Sequence, residues 1–258
     1  MTTATTHRYK LRLAYDGTAY AGWQLQPNAT SIQEVVEKAI ATVCGERPRL
    51  HGSGRTDQGV HARGQVAHFD LTTQRPTPRL AVSLNAVLPA DIRVLGLTRA
   101  AANFHARRSA VGKEYRYFIW NGDVLPPFLR HYRAHVRAPL DVLTMRAAAA
   151  MLEGRHDFAA FSANPNREVE STVRSVTALR VTRRGKEITI VARGEGFLYK
   201  MVRSLAGFLI RVGEGAVPPE TARDILASRL RTARVPTAPA CGLFLWKVWY
   251  RSGIINAQ

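Results

Sequence analysis

Residues 52–64 read Gly-Ser-Gly-Arg-Thr-Asp-Gln-Gly-Val-His-Ala-Arg-Gly. Four glycines in so short a span rule out a helix, because each costs backbone entropy and none offers a side chain to pack. On the N-terminal side, Pro48 to Ser53 reads as a short strand. On the C-terminal side, Gln65 to Asp70 reads as a strand leaving the loop. The chain is therefore committed here to strand, loop, strand, with the loop and its cargo presented at a sheet edge.

That cargo is unusual. Arg55 and Arg63 supply planar donors suited to phosphate, and the glycines let backbone approach a ligand closely. Asp57 is the one carboxylate among them, and it would repel the anion its neighbours favour. Two readings stand side by side. Asp57 closes an Asx-turn within its own loop, or it does chemistry as an ionised nucleophile or electrostatic stabiliser, its pKa lowered by a nearby guanidinium. His61 and Arg63 follow as candidate contacts to backbone phosphates, with surface or hydrogen-bonding roles as the plainer alternative.

The chain carries 37 Lys+Arg against 19 Asp+Glu, a formal charge of +18 over 258 residues. Such an excess points to a polyanionic partner, nucleic acid before an anionic membrane. No apolar run approaches the ~18 residues of a spanning helix, and the N-terminus shows no secretory apolar segment. Cys44 and Cys241 make neither a metal-ligand spacing nor a disulfide framework. These features imply a reduced, cytoplasmic setting without a membrane. No His/Cys/Glu cluster and no Gly-Lys-Ser/Thr loop are present, so neither a metal nor ATP is expected.

Periodicity organises the rest. Residues 7–15 read as a strand, and Ser31-Ile-Gln-Glu34 is a capping box opening a helix with Ile32, Val35, Val36, Ala39, Ile40 and Val43 on one face. Arg79 to Leu88 reads as a helix and Ile92 to Leu97 as a strand, which completes a β-α-β-loop-β-α-β order, the split-βαβ pattern. The second half repeats the theme. It has an aromatic strand Glu114–Trp120, an Ala-rich helix from Pro139 to Leu152, and a hairpin of Thr172–Arg183 with Glu187–Arg193. A long amphipathic helix Phe197–Val212, a helix Pro219–Arg229 and a terminal strand Gly242–Tyr250 follow. The expected fold is α+β, two ferredoxin-like halves with mainly antiparallel sheets packed around a central basic cleft. Residues 1–105 would carry the loop and residues 106–258 would complete the cleft.

In the second half, Tyr115 and Tyr117 share a strand face, either to stack a base or as core. Phe197, Met201 and Leu205 are spaced for a buried stripe, with Leu198 and Val202 beside it. Lys200 and Arg203 share a helix face at i, i+3, either as exposed charge or with Arg203 turned to a carboxylate.

Several stretches together resemble the TruA family of tRNA pseudouridine synthases. They are Gly54-Arg55-Thr56-Asp57-Gln58-Gly59-Val60-His61-Ala62 with Gly64-Gln65-Val66, then Tyr15-Asp16-Gly17, Tyr20 and Gly22-Trp23-Gln24. Asn103-Phe104-His105-Ala106-Arg107, Tyr115-Arg116-Tyr117 and Phe197-Leu198-Tyr199-Lys200-Met201-Val202-Arg203 follow in order. Gln58 stands where the family commonly has alanine, and Arg63 where it varies. The resemblance implies isomerisation of uridine at tRNA positions 38, 39 and 40, a homodimer, and no cofactor. It implies that Asp57 is the catalytic aspartate, Tyr115 the active-site tyrosine, Arg203 the basic partner of the aspartate and Arg55 the arginine that assists base flipping. Whether the carboxylate attacks ribose C1′, attacks uracil C6 or abstracts a ribose proton stays open. The alternative is a non-catalytic RNA-binding module in which Tyr115 and Tyr117 stack bases.

Overall fold

The computed structural model describes residues 6–163 and 170–251, so residues 1–5 of the N-terminus, where no secretory segment is expected, lie outside the described residues. The chain divides into two units, Met1–Val111 with Leu245–Gln258, and Gly112–Phe244. Among the described residues there are five α-helices, and the fold is α+β.

Unit 1 runs β1 (His7–Tyr15), α1 (Ile32–Cys44), β2 (His51–Gly52), β3 (His61–Leu71), α2 (Thr77–Val87) and β4 (Ile92–Arg99). Strand β1 is flanked by β3 and β4, both antiparallel, and β2 pairs antiparallel with the far side of β3. Alternation along β1 places Tyr9, Leu11, Leu13 and Tyr15 in the interior. From α1 the core receives Ile32, Val36 and Ile40, and from α2 Leu80 and Leu84. Ser31 caps α1 as its pattern predicts, accepting the Glu34 N–H at 3.2 Å.

The buried face of α1 differs from the expected one. Val35 and Val43 are only half-buried, while Gln33 and Glu37 are buried. Their polar ends are satisfied inside: Gln33 Nε2 donates to Glu37 Oε1 (2.8 Å) and to the Leu50 carbonyl (3.1 Å), and Leu50 N–H donates to Glu37 Oε1 (2.9 Å). This polar tie secures the approach to β2, which is two residues long where the sequence suggested a strand from Pro48 to Ser53.

Unit 2 holds β5 (Ala110–Asn121, from Gly112 onward), β6 (Ala134–Val136), α3 (Val142–Met151), β7 (Gly154–Asp157), β8 (Val173–Arg184), β9 (Glu187–Gly194), α4 (Met201–Gly213) and α5 (Thr221–Ser228). Strand β9 lies between β5 and β8, and β7 flanks β8, all antiparallel; β6 joins β5 in parallel. The last strand, β10 (Leu243–Tyr250), carries the chain back to unit 1 beside β3.

Two boundaries are corrected. Strand β3 begins at His61 instead of Gln65, so His61 and Arg63 belong to a strand. Helix α4 begins at Met201 instead of Phe197, because Lys200 adopts φ 56°, the left-handed region, and breaks the helical path. Met201, Val202 and Leu205 are buried as the stripe predicts, but Phe197 lies before the helix and serves another purpose.

Candidate active site

Asp57 sits on the connection between β2 and β3, which has no ladder of its own to hold it. Other contacts supply the rigidity. Ser53 N–H donates to the Val66 carbonyl (2.7 Å), Trp23 N–H to the Thr56 carbonyl (3.0 Å), and Val60 N–H to the carbonyl of Asp57 itself (3.1 Å). The Tyr15 hydroxyl shares a 2.8 Å hydrogen bond with Thr56 Oγ1. Burial drives the Tyr15 pKa far up, against the opposing hydrogen bonds from Thr56 and Gln65, so its proton stays in place. Asp57 is half-buried and Arg55 is exposed.

Two glycines let other segments press against this loop. A Cβ on Gly17 would collide with the Val60 carbonyl, and one on Gly22, at φ +93°, with the backbone of Thr56 and Asp57. The Tyr15-Asp16-Gly17 and Gly22-Trp23 stretches therefore buttress the loop. Sequence reasoning recorded them as motif without a role. Ser53 and Gln65, both completely buried, were likewise missed. The sign available for Gln65 was an amide side chain at the loop margin, where an apolar strand residue was the plainer choice.

His61 is 1% exposed and takes the Gly17 N–H on Nδ1 at 3.0 Å. It braces the loop and does not reach out to phosphate, because burial removes it from any ligand. Arg63 is exposed, with its guanidinium 4.4 Å from the Trp246 ring centre, a cation–π arrangement.

The remaining candidates lie in unit 2. Tyr115 is on β5 opposite Ala192, 8% exposed, and its ring meets Phe197 edge to face at 5.3 Å. Tyr117, on the same face, is completely buried and donates its hydroxyl to the Pro239 carbonyl at 2.9 Å. A platform of two stacking tyrosines is thus excluded, since Tyr117 is core. Arg203 lies in the first turn of α4; its Nε donates to the Ala238 carbonyl (2.8 Å), and Ala238 N–H returns a bond to the Arg203 carbonyl (3.0 Å).

Glu114, beside Tyr115 in sequence, was not anticipated. It is 2% exposed and receives Arg116 Nε and Arg193 Nε, each at 2.7 Å. Burial works to raise its pKa, but the two guanidinium hydrogen bonds prevail and hold it below the ordinary glutamate value. It stays ionised and saturated, a structural charge. Among the described residues no group of three His, Cys, Asp or Glu side chains is placed to hold a metal, and Cys44 and Cys241 are free thiols. No helix there is long and apolar enough to cross a membrane.

A chain of charge +18 that carries one carboxylate on a braced loop fits the class of proteins that bind a polyanion. Comparison with known proteins gives that class a family. Residues 13–107 and 148–251 match the family profile described as tRNA pseudouridine synthase. A protein named tRNA pseudouridine synthase A from Syntrophotalea carbinolica is 47% identical over 243 residues, covering 93% of this chain and 95% of that one. Its namesake from Brevibacillus brevis is 45% identical over 243 residues (94% and 99% covered), and that from Chlamydia trachomatis serovar A 43% over 254 residues (95% and 92%). Among solved structures, one titled "Crystal Structure of a Cbf5-Nop10-Gar1 Complex" aligns at a TM-score of 0.34 and 16% identity, over 78% of this chain and 45% of that one. The chain belongs to the tRNA pseudouridine synthase family.

Proposed function

We propose that the protein isomerises uridine to pseudouridine at positions 38, 39 and 40 in the anticodon arm of tRNA, with Asp57 as the reacting carboxylate. The observation that carries this reading is the bracing of the Asp57 loop from β1, from the Gly22-Trp23 segment and from β3, which holds one carboxylate at a defined point. The uracil N1–C1′ bond breaks, the base turns, the C5–C1′ bond forms, the C5 proton leaves and N1 gains one. A base inside a stacked arm must first be extruded. Arg55, exposed two residues before Asp57, supports the opened RNA. Tyr115 packs against the uracil, and Arg203 pairs with the Asp57 carboxylate.

The two halves are ferredoxin-like and enclose a basic cleft, residues 1–105 bringing the loop and residues 106–258 completing the cleft, although β10 from Leu245 onward groups with the first half. The antiparallel order β4-β1-β3-β2 supports the ferredoxin-like reading of unit 1, and the net charge of +18 supports a basic character for the chain. The enzyme works in the cytoplasm as a homodimer and takes tRNA as its partner, a proposal that rests on the family resemblance.

The test uses an unmodified tRNA transcript tritiated at uracil C5, with no nucleotide and with chelator present. Tritium release in step with pseudouridine at positions 38–40, from an uncut chain, is the expected outcome. Free uracil with an abasic site would indicate a glycosidase, and binding without release an RNA-binding module; either result, with folded protein, sinks the proposal. Exchanging Arg203 for Met should slow the single-turnover rate more than it weakens binding. A loss confined to affinity, with the salt slope smaller by about one unit, would reassign Arg203 to a phosphate contact.

A further inference from the structure

We propose that Gln65 is the positioning residue of the Asp57 loop, setting where the carboxylate stands without touching substrate. The inference rests on Asp57 being the reacting group. Gln65 is the fifth residue of β3 and is completely buried. Its Nε2 donates to the Gly54 carbonyl at 2.8 Å, while its Oε1 accepts Ser53 Oγ at 2.7 Å and its neighbour Val66 N–H at 3.2 Å. The orientation of the amide is forced, because a carbonyl can only accept; Nε2 must face Gly54 and Oε1 must face the hydroxyl.

One side chain on the outgoing strand thus grips two successive residues at the start of the loop, immediately ahead of Arg55-Thr56-Asp57. Thr56 is gripped in turn by Tyr15. Any drift of Ser53 or Gly54 would leave a buried amide group unpaired, which is expensive in the interior. An apolar residue of the same size would fill the space yet allow the loop to slide. Chemistry at a sugar carbon is sensitive to such slack, since misplacement by about 1 Å can cost about a hundredfold in rate.

Gln65→Met keeps the volume and removes the three hydrogen bonds to Gly54, Ser53 and Val66. It should lower the single-turnover rate about a hundredfold while the dissociation constant for tRNA transcript stays within about threefold. Ser53→Ala removes one of the three bonds and should lower the rate about tenfold; it decides the matter if Gln65→Met does not fold. Asn85→Leu is the structural control. Asn85 exchanges two hydrogen bonds with the Val94 backbone, tying α2 to β4 away from the loop. It should lower the thermal midpoint without changing the rate per folded molecule.

If the Gln65 and Ser53 variants keep the wild-type rate per folded molecule, as the control does, Gln65 has no positioning role. Asp57→Asn, measured alongside, separates the two ideas. Turnover by that variant overturns the Asp57 reading and this inference with it; a silent Asp57→Asn beside a fully active Gln65→Met overturns the inference alone.

Discussion

The loop that carries Asp57 and the helical turn that carries Arg203 are held by different physics. The loop has no ladder; its backbone is fixed by buried polar side chains from β1 and β3 and by glycines that allow close approach. Arg203 inherits its position from a regular helix, and a strap of residues 231–238 holds that helix. Its ties are the Arg203–Ala238 pair and Arg231, which donates to Ser204 Oγ and Thr237 Oγ1, each at 2.8 Å. Helical hydrogen bonding is cooperative and tolerates the loss of one side chain. A loop built from single buried polar contacts does not, because each lost partner strands another group. Function in unit 1 should therefore respond sharply to small changes that function in unit 2 absorbs.

The largest effect expected is that of Asp57→Asn. The single-turnover rate should fall on the order of 10^4-fold, with tRNA binding within about threefold. A rate within an order of magnitude of wild type would make Asp57 one more loop residue and remove the reason for the bracing.

Glycine exchanges sharpen the contrast. Gly17→Ala forces a methyl against the Val60 carbonyl and should cost about 3 kcal/mol in urea unfolding, with loss of turnover among folded molecules. At Gly196, ahead of α4, a Cβ would meet no atom within 4 Å and φ is not in the left-handed region. Alanine there should be neutral or slightly stabilising. Equal penalties at the two sites would erase the distinction.

Acid should weaken unit 1 through His68. This side chain, 3% exposed, stacks on His51 (4.9 Å) and abuts His105 (4.7 Å), and its Nδ1 accepts the Ala106 N–H at 3.2 Å. Burial first, then the charges of Arg8, His105 and His51, push its pKa down from 6.5 to about 4, with Asp70 opposing. The unfolded chain takes up the proton near pH 6.5 and the folded chain only near pH 4. Stability is thus full above pH 6.5, falls as pH drops through that window and levels off for this group below it. The loss should be about 2 kcal/mol once relaxation is allowed for. Denaturant titrations across the window should show this slope in wild type and a flatter one in His68→Gln.

The smallest effect is Phe197→Leu, which keeps an apolar residue but loses the edge contact to Tyr115. Such a contact is worth about 1 kcal/mol, so the single-turnover rate should fall by about fivefold at most. A fall as deep as that of Asp57→Asn would mean that the aromatic pair, too, is a rigid support.

Much of this was legible from local pattern. The capping box at Ser31, the alternation of residues 7–15 and the hairpin of Glu187–Arg193 with its partner depend on neighbours in sequence, and the structure reproduces them. Helix α4 starts at Met201 although the spacing of Phe197 fits a helical stripe; the left-handed turn at Lys200 leaves no mark in periodicity. His61 reads as a loop residue in the sequence because glycine at position 64 hides the strand that begins at residue 61. Glu114 carries no mark of burial in the sequence, since one of its two partners, Arg193, is 79 positions away.

By itself the sequence determined the α+β class, the polycationic character, the family and the place of the lone carboxylate. Each is written in composition, periodicity or a contiguous motif. Only the tertiary structure decided which polar residues are interior. Gln65, Ser53, His61, Glu37 and Glu114 all look hydrophilic in the chain, yet each is buried. Burying a polar group costs free energy unless a partner meets it. Here the partners come largely from distant segments, so these residues could be placed inside only once the fold had brought both members of each pair together.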